Sequence, residues 1–141
     1  MDALKNVVDY GVIGLLLALS VWAVAIAVER WLFYRRVNVG QFPDQHLCEI
    51  ALTKRLVIIG TIAANAPYIG LLGTVLGIML TFQTMGTAGT MAVSTIMIGL
   101  SLALKATAAG LLVAIPCVVM NNVLRRRVNE LVTVYKSRHG A

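Results

Sequence analysis

Acidic charge is the scarcest commodity in this chain. Six Asp and Glu face twelve Lys and Arg in 141 residues, and no acid occurs between Glu49 and Glu130. A pair of catalytic carboxylates therefore has no place along most of the sequence. The two cysteines, Cys48 and Cys117, are too few for a disulfide framework and read as free thiols. The two histidines, His46 and His139, have no metal-ligand spacing between them or with the cysteines. Neither a phosphate-binding loop nor a nucleophile elbow appears. The sequence thus predicts no enzyme, no metal and no cofactor. The net charge of +6 does not point to nucleic acid either, because no basic face interleaved with aromatics exists.

Apolar residues and glycine fill the space. Hydrophobic side chains make up 59% of the chain, only 13% are charged, and 12 glycines lie in and around the apolar runs. That balance indicates an integral membrane protein. Three spans would leave nothing for a separate soluble core, so the chain reads as a single membrane domain over residues 1–141: spans at about 10–34, 56–82 and 91–124, a linker at 37–55 and a tail at 125–141. Tyr10 to Val28 is free of charge, and Trp31 with Tyr34 suits the interfacial belt at the end of the first span. The N-terminus has no basic n-region or clear cleavage site, so the first apolar segment is expected to be retained.

The linker is too short for its own fold, and part of it is expected to extend the second span. Gln83 to Thr90, with Gly86 and Gly89, reads as an uncharged turn, and Val128, Leu131, Val132 and Tyr135 could continue the third helix as an amphipathic tail. Arg30, Arg35, Arg36, Lys54, Arg55 and Arg125 to Arg127 sit at the ends of apolar runs, while the opening segment and the 83–90 turn carry no such excess. The positive-inside rule then gives an N-out, C-in topology.

Polar groups inside the spans mark the candidate site. In the second span, Gly70, Gly73 and Gly77 permit close backbone approach, and Thr74 and Thr81 share the face of Gly70 and Gly77. The plain alternative is helix packing, with each threonine bonded to its own backbone. In the third span, Gly99, Ala103, Thr107, Gly110 and Ala114 form one narrow row of small side chains, with Ser94, Ser101 and Lys105 on another face. Pro67 and Pro116 are candidate kinks.

Lys105 is the only formal charge from Leu56 to Leu124. A charge deep in a bilayer is costly and is expected to face protein or water. Its stem is too short to reach either end of the span. Two readings stand: a neutral or hydrogen-bonded amine within an oligomer, or an ammonium paired with a carboxylate. Asp2, Asp9, Glu29, Asp44, Glu49 and Glu130 all read as lying at ends or in loops, so the paired reading calls for a carboxylate from another polypeptide.

The segment from Ala66 to Met79, APYIGLLGTVLGIM, resembles the second-helix signature of the MotA/TolQ/ExbB proton-channel family. Gly99 to Asn121, containing ATAAGL and VAIP, resembles its third-helix signature, and Glu29-Arg30 resembles the end of its first helix. These matches cover about 70 residues and are closest to a compact ExbB branch, with TolQ the nearest rival. The resemblance implies an all-α protein with three transmembrane helices and long second and third helices. It further implies a pentamer in the Gram-negative inner membrane around a central pore. ExbD-like helices would occupy the pore, and a TonB-like protein would be energised for uptake of iron chelates and vitamin B12. Membrane lipid is the remaining partner. Thr74 and Thr107 match the family's pore threonines. One departure matters: the third-helix glutamate often found five residues before the threonine is Leu102 here. The alternatives are a TolQ-type subunit of the Tol-Pal system, or a structural membrane protein that transports nothing.

Overall fold

The computed structural model describes residues 2–89 and 92–138, and it is helical throughout. The sequence expectations at Thr90, Met91 and His139 to Ala141 lie outside the described residues. Helix α1 spans Asp2–Arg36, α2 Gln45–Thr53, α3 Leu56–Ala88 and α4 Val93–Arg138, with one 3-10 turn at Val39–Gln41. Three of these helices are long and apolar enough to cross a membrane: α1, α3 and α4. With 46 residues, α4 is about 69 Å long at 1.5 Å per residue, more than twice the hydrocarbon thickness.

Helices α3 and α4 make the most extensive contact, and α1 leans on both. The α3–α4 register is antiparallel, as the neighbours Gly77–Ala103, Gly73–Ala106 and Gly70–Gly110 show. The outer surface is largely apolar: Leu17, Val21, Trp22, Leu112 and Ile115 are all exposed. Such a surface suits acyl chains or further protein rather than water.

The two ends of the chain order were partly legible. Helix α4 does run on through the amphipathic tail, burying Val128, Leu131, Val132 and Tyr135. The linker differs from expectation. Its helix is a separate element, not an extension of the second span, because Lys54 and Arg55 break the chain and Arg55 adopts the left-handed region at φ 69°. Asp44 starts α2 by accepting from the His46 N–H at 3.2 Å, a standard N-cap. The turn between the long helices is also shorter than expected. Residues 83–88 remain helical, with Thr84 and Thr87 donating to the carbonyls of Leu80 and Gln83, and the break falls at Gly89, whose φ of 81° suits glycine.

Helix α1 is anchored to α2 by side chains that cover the open carbonyls of its last turn. Arg30, 3% exposed, donates to the Ala51 carbonyl at 2.9 Å and to both carboxylate oxygens of Glu29 at 2.6 Å. Tyr34 donates its hydroxyl to the Leu52 carbonyl. Arg55 lies 3.7 Å from Glu29, which brings the basic ends of α1 and α3 together. Below them, Cys48, Leu52, Leu56 and Ile59 are fully buried or nearly so against the distal half of α4. Tyr34→Phe removes one buried hydrogen bond and strands a helix-end carbonyl. It should destabilise the protein by about 1–2 kcal/mol, seen as a lower thermal midpoint of the purified protein; an unchanged midpoint would mean that the α1–α2 clamp is decorative.

Candidate functional site

The centre of the α3–α4 crossing is built by absence of side chain. A Cβ on Gly70 would lie 2.6 Å from the Ala106 carbonyl oxygen, and one on Gly110 would lie 2.6 Å from the Ala66 carbonyl oxygen. Gly73 and Gly77 face Ala106 and Ala103 in the same manner, at 2.8 Å between a built Cβ and the alanine methyl. The row read from the sequence does face α3: Gly99, Ala103, Gly110 and Ala114 are buried and Thr107 is half-buried. Ala106, 1% exposed, belongs to this contact as well and was not singled out, having no chemistry of its own.

Close approach brings two hydroxyls together. Thr74 is buried, and its Oγ1 contacts Oγ1 of Thr107. Thr74 Oγ1 also stands 2.9 Å from the Ala103 carbonyl across the crossing, and 3.3 Å from Gly70 in its own helix. Each hydroxyl has a single proton to give. One arrangement that uses both has Thr107 donating to Thr74 while Thr74 donates to Ala103; Thr107 also stands 3.5 Å from the Gly70 carbonyl, which allows the pair the opposite direction. Thr81, although on the same face, donates at 2.9 Å to Gly77 of its own helix. The ordinary packing explanation is sufficient for Thr81 and not for Thr74.

Pro67 and Pro116 lie inside uninterrupted helices, so neither marks a fresh start of the chain. Each withholds one N–H from the carbonyl four residues earlier, at Ala63 and Leu112.

Lys105 is not in the threonine row. It lines a cavity of about 100 Å³ between α1 and α4, together with Asn6, Asp9, Tyr10, Ile13 and Leu102. This corrects the expectation that no carboxylate of this chain lies at the level of Lys105. Asp9 is 8% exposed, and its Oδ1 has no hydrogen-bond partner among the described residues. Oδ1 lies 3.9 Å from where a Gly77 Cβ would stand, so the carboxylate reaches the α3–α4 seam as well. Along the first span alone, Asp9 precedes the apolar run and reads as an end residue. Because α1 is helical from Asp2 onward, its second turn packs against the bundle.

Among the described residues, no three His, Cys, Asp or Glu side chains come together as a metal site. His46 is exposed on α2, and Cys48 and Cys117 are buried free thiols. Burial, with a smaller contribution from the Glu49 carboxylate, pushes the Cys48 thiol above its ordinary range, away from the reactive thiolate. In the tail, hydrogen bonds from Arg127 and Arg126 hold the Glu130 carboxyl below the usual carboxylate range.

Residues 45–137 match the MotA/TolQ/ExbB proton channel family. The chain is 49% identical over 140 residues to the biopolymer transport protein ExbB of Aquifex aeolicus, covering 99% of this chain and 95% of that protein. It is 52% identical over 136 residues to the putative biopolymer transport protein ExbB-like 2 of Helicobacter pylori, covering 96% and 91%. The Tol-Pal system protein TolQ of Haemophilus influenzae is 42% identical over 81 residues, covering 57% of this chain and 36% of that protein. A crossing of glycines and paired threonines, on three helices able to span a membrane, thus sits in a chain that belongs to the MotA/TolQ/ExbB proton channel family.

Proposed function

We propose that this chain is the ExbB-type subunit of a motor driven by the proton motive force in a Gram-negative inner membrane. With an ExbD-like protein it energises a TonB-like protein, so that outer-membrane receptors take up iron chelates and vitamin B12. The observation that carries the reading is the Thr74–Thr107 hydroxyl contact at the α3–α4 crossing, in a chain about half identical to ExbB proteins along nearly its full length.

In this reading five copies surround a pore lined by α3 and α4, with the N-terminus outside and the Arg-rich tail inside. The proximity of Glu29 and Arg55, at the basic ends of α1 and α3, supports that orientation. The two threonine hydroxyls give and accept hydrogen bonds along a hydrated path, and partner transmembrane helices bring the carboxylate that takes up the proton. Leu102 in place of the family's frequent glutamate means that α4 supplies no acid of its own there. Lys105 contributes the fixed positive charge, and a partner carboxylate is one group it would hold.

Deletion of the gene should produce iron starvation relieved by the intact chain. Lys105→Leu should abolish TonB-dependent uptake while the oligomer still assembles; normal uptake by that variant would remove any functional role for the charge. A TolQ-type role is the second reading, supported by the partial TolQ match. It predicts detergent sensitivity instead of iron starvation on deletion. A structural protein without transport is the third. Native mass spectrometry of the purified chain separates it, since five copies are expected for a motor subunit and one or two for simple helix packing.

A further inference from the structure

The geometry points to a second polar site, in which Asp9 and Lys105 of one subunit form a water-bridged charge couple across the α1–α4 contact. Three observations converge on it. Asp9 is more than nine-tenths buried, with an oxygen that finds no donor among the described residues. A carboxylate so placed needs a cation or water nearby to remain charged. Among the described residues the one cation lining its cavity is Lys105, and Asn6 and Tyr10 add further polar groups to the wall. The two charges make no direct ion pair within 4 Å, and the cavity between their helices measures about 100 Å³. That is room for about three waters at roughly 30 Å³ each, with several polar partners to hold them.

The sequence places the couple at a common level. Asp9 is followed by 19 uncharged residues before Glu29, and Lys105 is followed by 19 uncharged residues before Arg125. At 1.5 Å per residue either stretch spans about 28 Å, close to one hydrocarbon thickness. Asp9 and Lys105 therefore stand together at one end of the apolar stretch that α1 and α4 share, and not at mid-span as the sequence of α4 alone suggests. The ligand of this site is water, and its chemistry is hydrogen bonding between a carboxylate and an ammonium. The couple fixes α1 against the α3–α4 pair. It also decides how much of the ammonium's charge remains for a carboxylate from another chain. That last consequence rests on the proposed motor; the couple itself does not.

The test is a charge cycle on the purified oligomer in nanodiscs, with uptake measured in parallel in cells. Asp9→Asn and Lys105→Gln should each lower the thermal midpoint by about 5 °C or more, and each should reduce uptake at least tenfold. Asp9→Asn/Lys105→Gln, which leaves no lone charge, should recover at least half of the lost midpoint, as should the exchanged pair Asp9→Lys/Lys105→Asp. If a single variant fails to assemble, the two double variants still give the answer, because they should assemble. Infrared difference spectra add a readout that packing alone would not move. Only six Asp and Glu occur in the chain, and Lys105→Gln should shift the Asp9 carboxylate band, because the bridging waters lose their second anchor.

Strictly additive midpoint losses, an unaltered infrared band, or double variants no better than the singles would overturn the couple. A cell that takes up iron chelates without this chain would overturn the motor and leave the couple standing.

Discussion

Gly70→Ala and Gly110→Ala should each cost the folded protein about 2–4 kcal/mol, although each adds a single methyl group. Both new carbons would come within 2.6 Å of a backbone carbonyl oxygen on the facing helix. A backbone oxygen has no rotamer by which to withdraw, so the helices themselves must separate. Overpacking of a tight core costs about 1–3 kcal/mol. Separation also stretches the 2.9 Å bond from Thr74 to Ala103, worth about 1 kcal/mol more. The measurement is the thermal midpoint of the purified protein, with oligomer yield as a second readout. Gly14→Ala is the control, because a Cβ there meets nothing within 4 Å, and alanine is the better helix former. Gly70→Ala/Gly110→Ala should cost less than the sum of the two, since once the crossing has opened for one methyl it accommodates the other. Equal, small effects at Gly14, Gly70 and Gly110 would mean that the α3–α4 approach is looser than described.

The prominence of these glycines in the sequence had a physical basis. Spacing in an α-helix fixes direction, so Gly99, Ala103, Thr107, Gly110 and Ala114 had to share a face, and a row of small side chains in an apolar helix has little use other than close approach. The amphipathic tail was legible for the same reason: Val128, Leu131, Val132 and Tyr135 recur at helical intervals, and all four are buried. Periodicity said less where elements end. Thr84, Gly86 and Thr87 are turn formers by composition, yet threonine hydroxyls can bond back to the preceding helical turn, and here they do so. Helix α2 was hidden because nine residues are too few for a periodic signal. Its boundary signals, an Asp44 cap and a left-handed Arg55, depend on local conformation.

Asp9 illustrates a different limit. Read along its own helix it precedes the apolar run and resembles an end residue. Its burial depends on α3 and α4 extending far enough to flank it, which they do because both are much longer than one membrane thickness. The matching 19-residue intervals after Asp9 and Lys105 were present in the sequence as a clue. Only the parallel contact of α1 with α4 turns equal intervals into proximity.

Thr74→Val together with Thr107→Val should reduce proton-driven uptake at least a hundredfold while the oligomer persists. Valine keeps the branched shape of threonine, so the Gly70–Gly110 crossing retains its packing, and what is lost is the hydroxyl pair and its bond to Ala103. The Ala103 carbonyl still has a backbone donor within α4, so the stability cost is about 1 kcal/mol per hydroxyl. That is too little to explain a hundredfold loss through unfolding. Thr74→Ser/Thr107→Ser restores both hydroxyls without the methyls and should recover most of the uptake. Thr81→Val is the internal comparison, because Thr81 bonds only to Gly77 in its own helix at 2.9 Å and should be silent in transport. The split between Val and Ser at positions 74 and 107, set against silence at 81, is what a relay requires and what simple packing does not produce. Full uptake with valine at both positions would remove the hydroxyl chain from the proton path and leave the threonines as spacers between two helices.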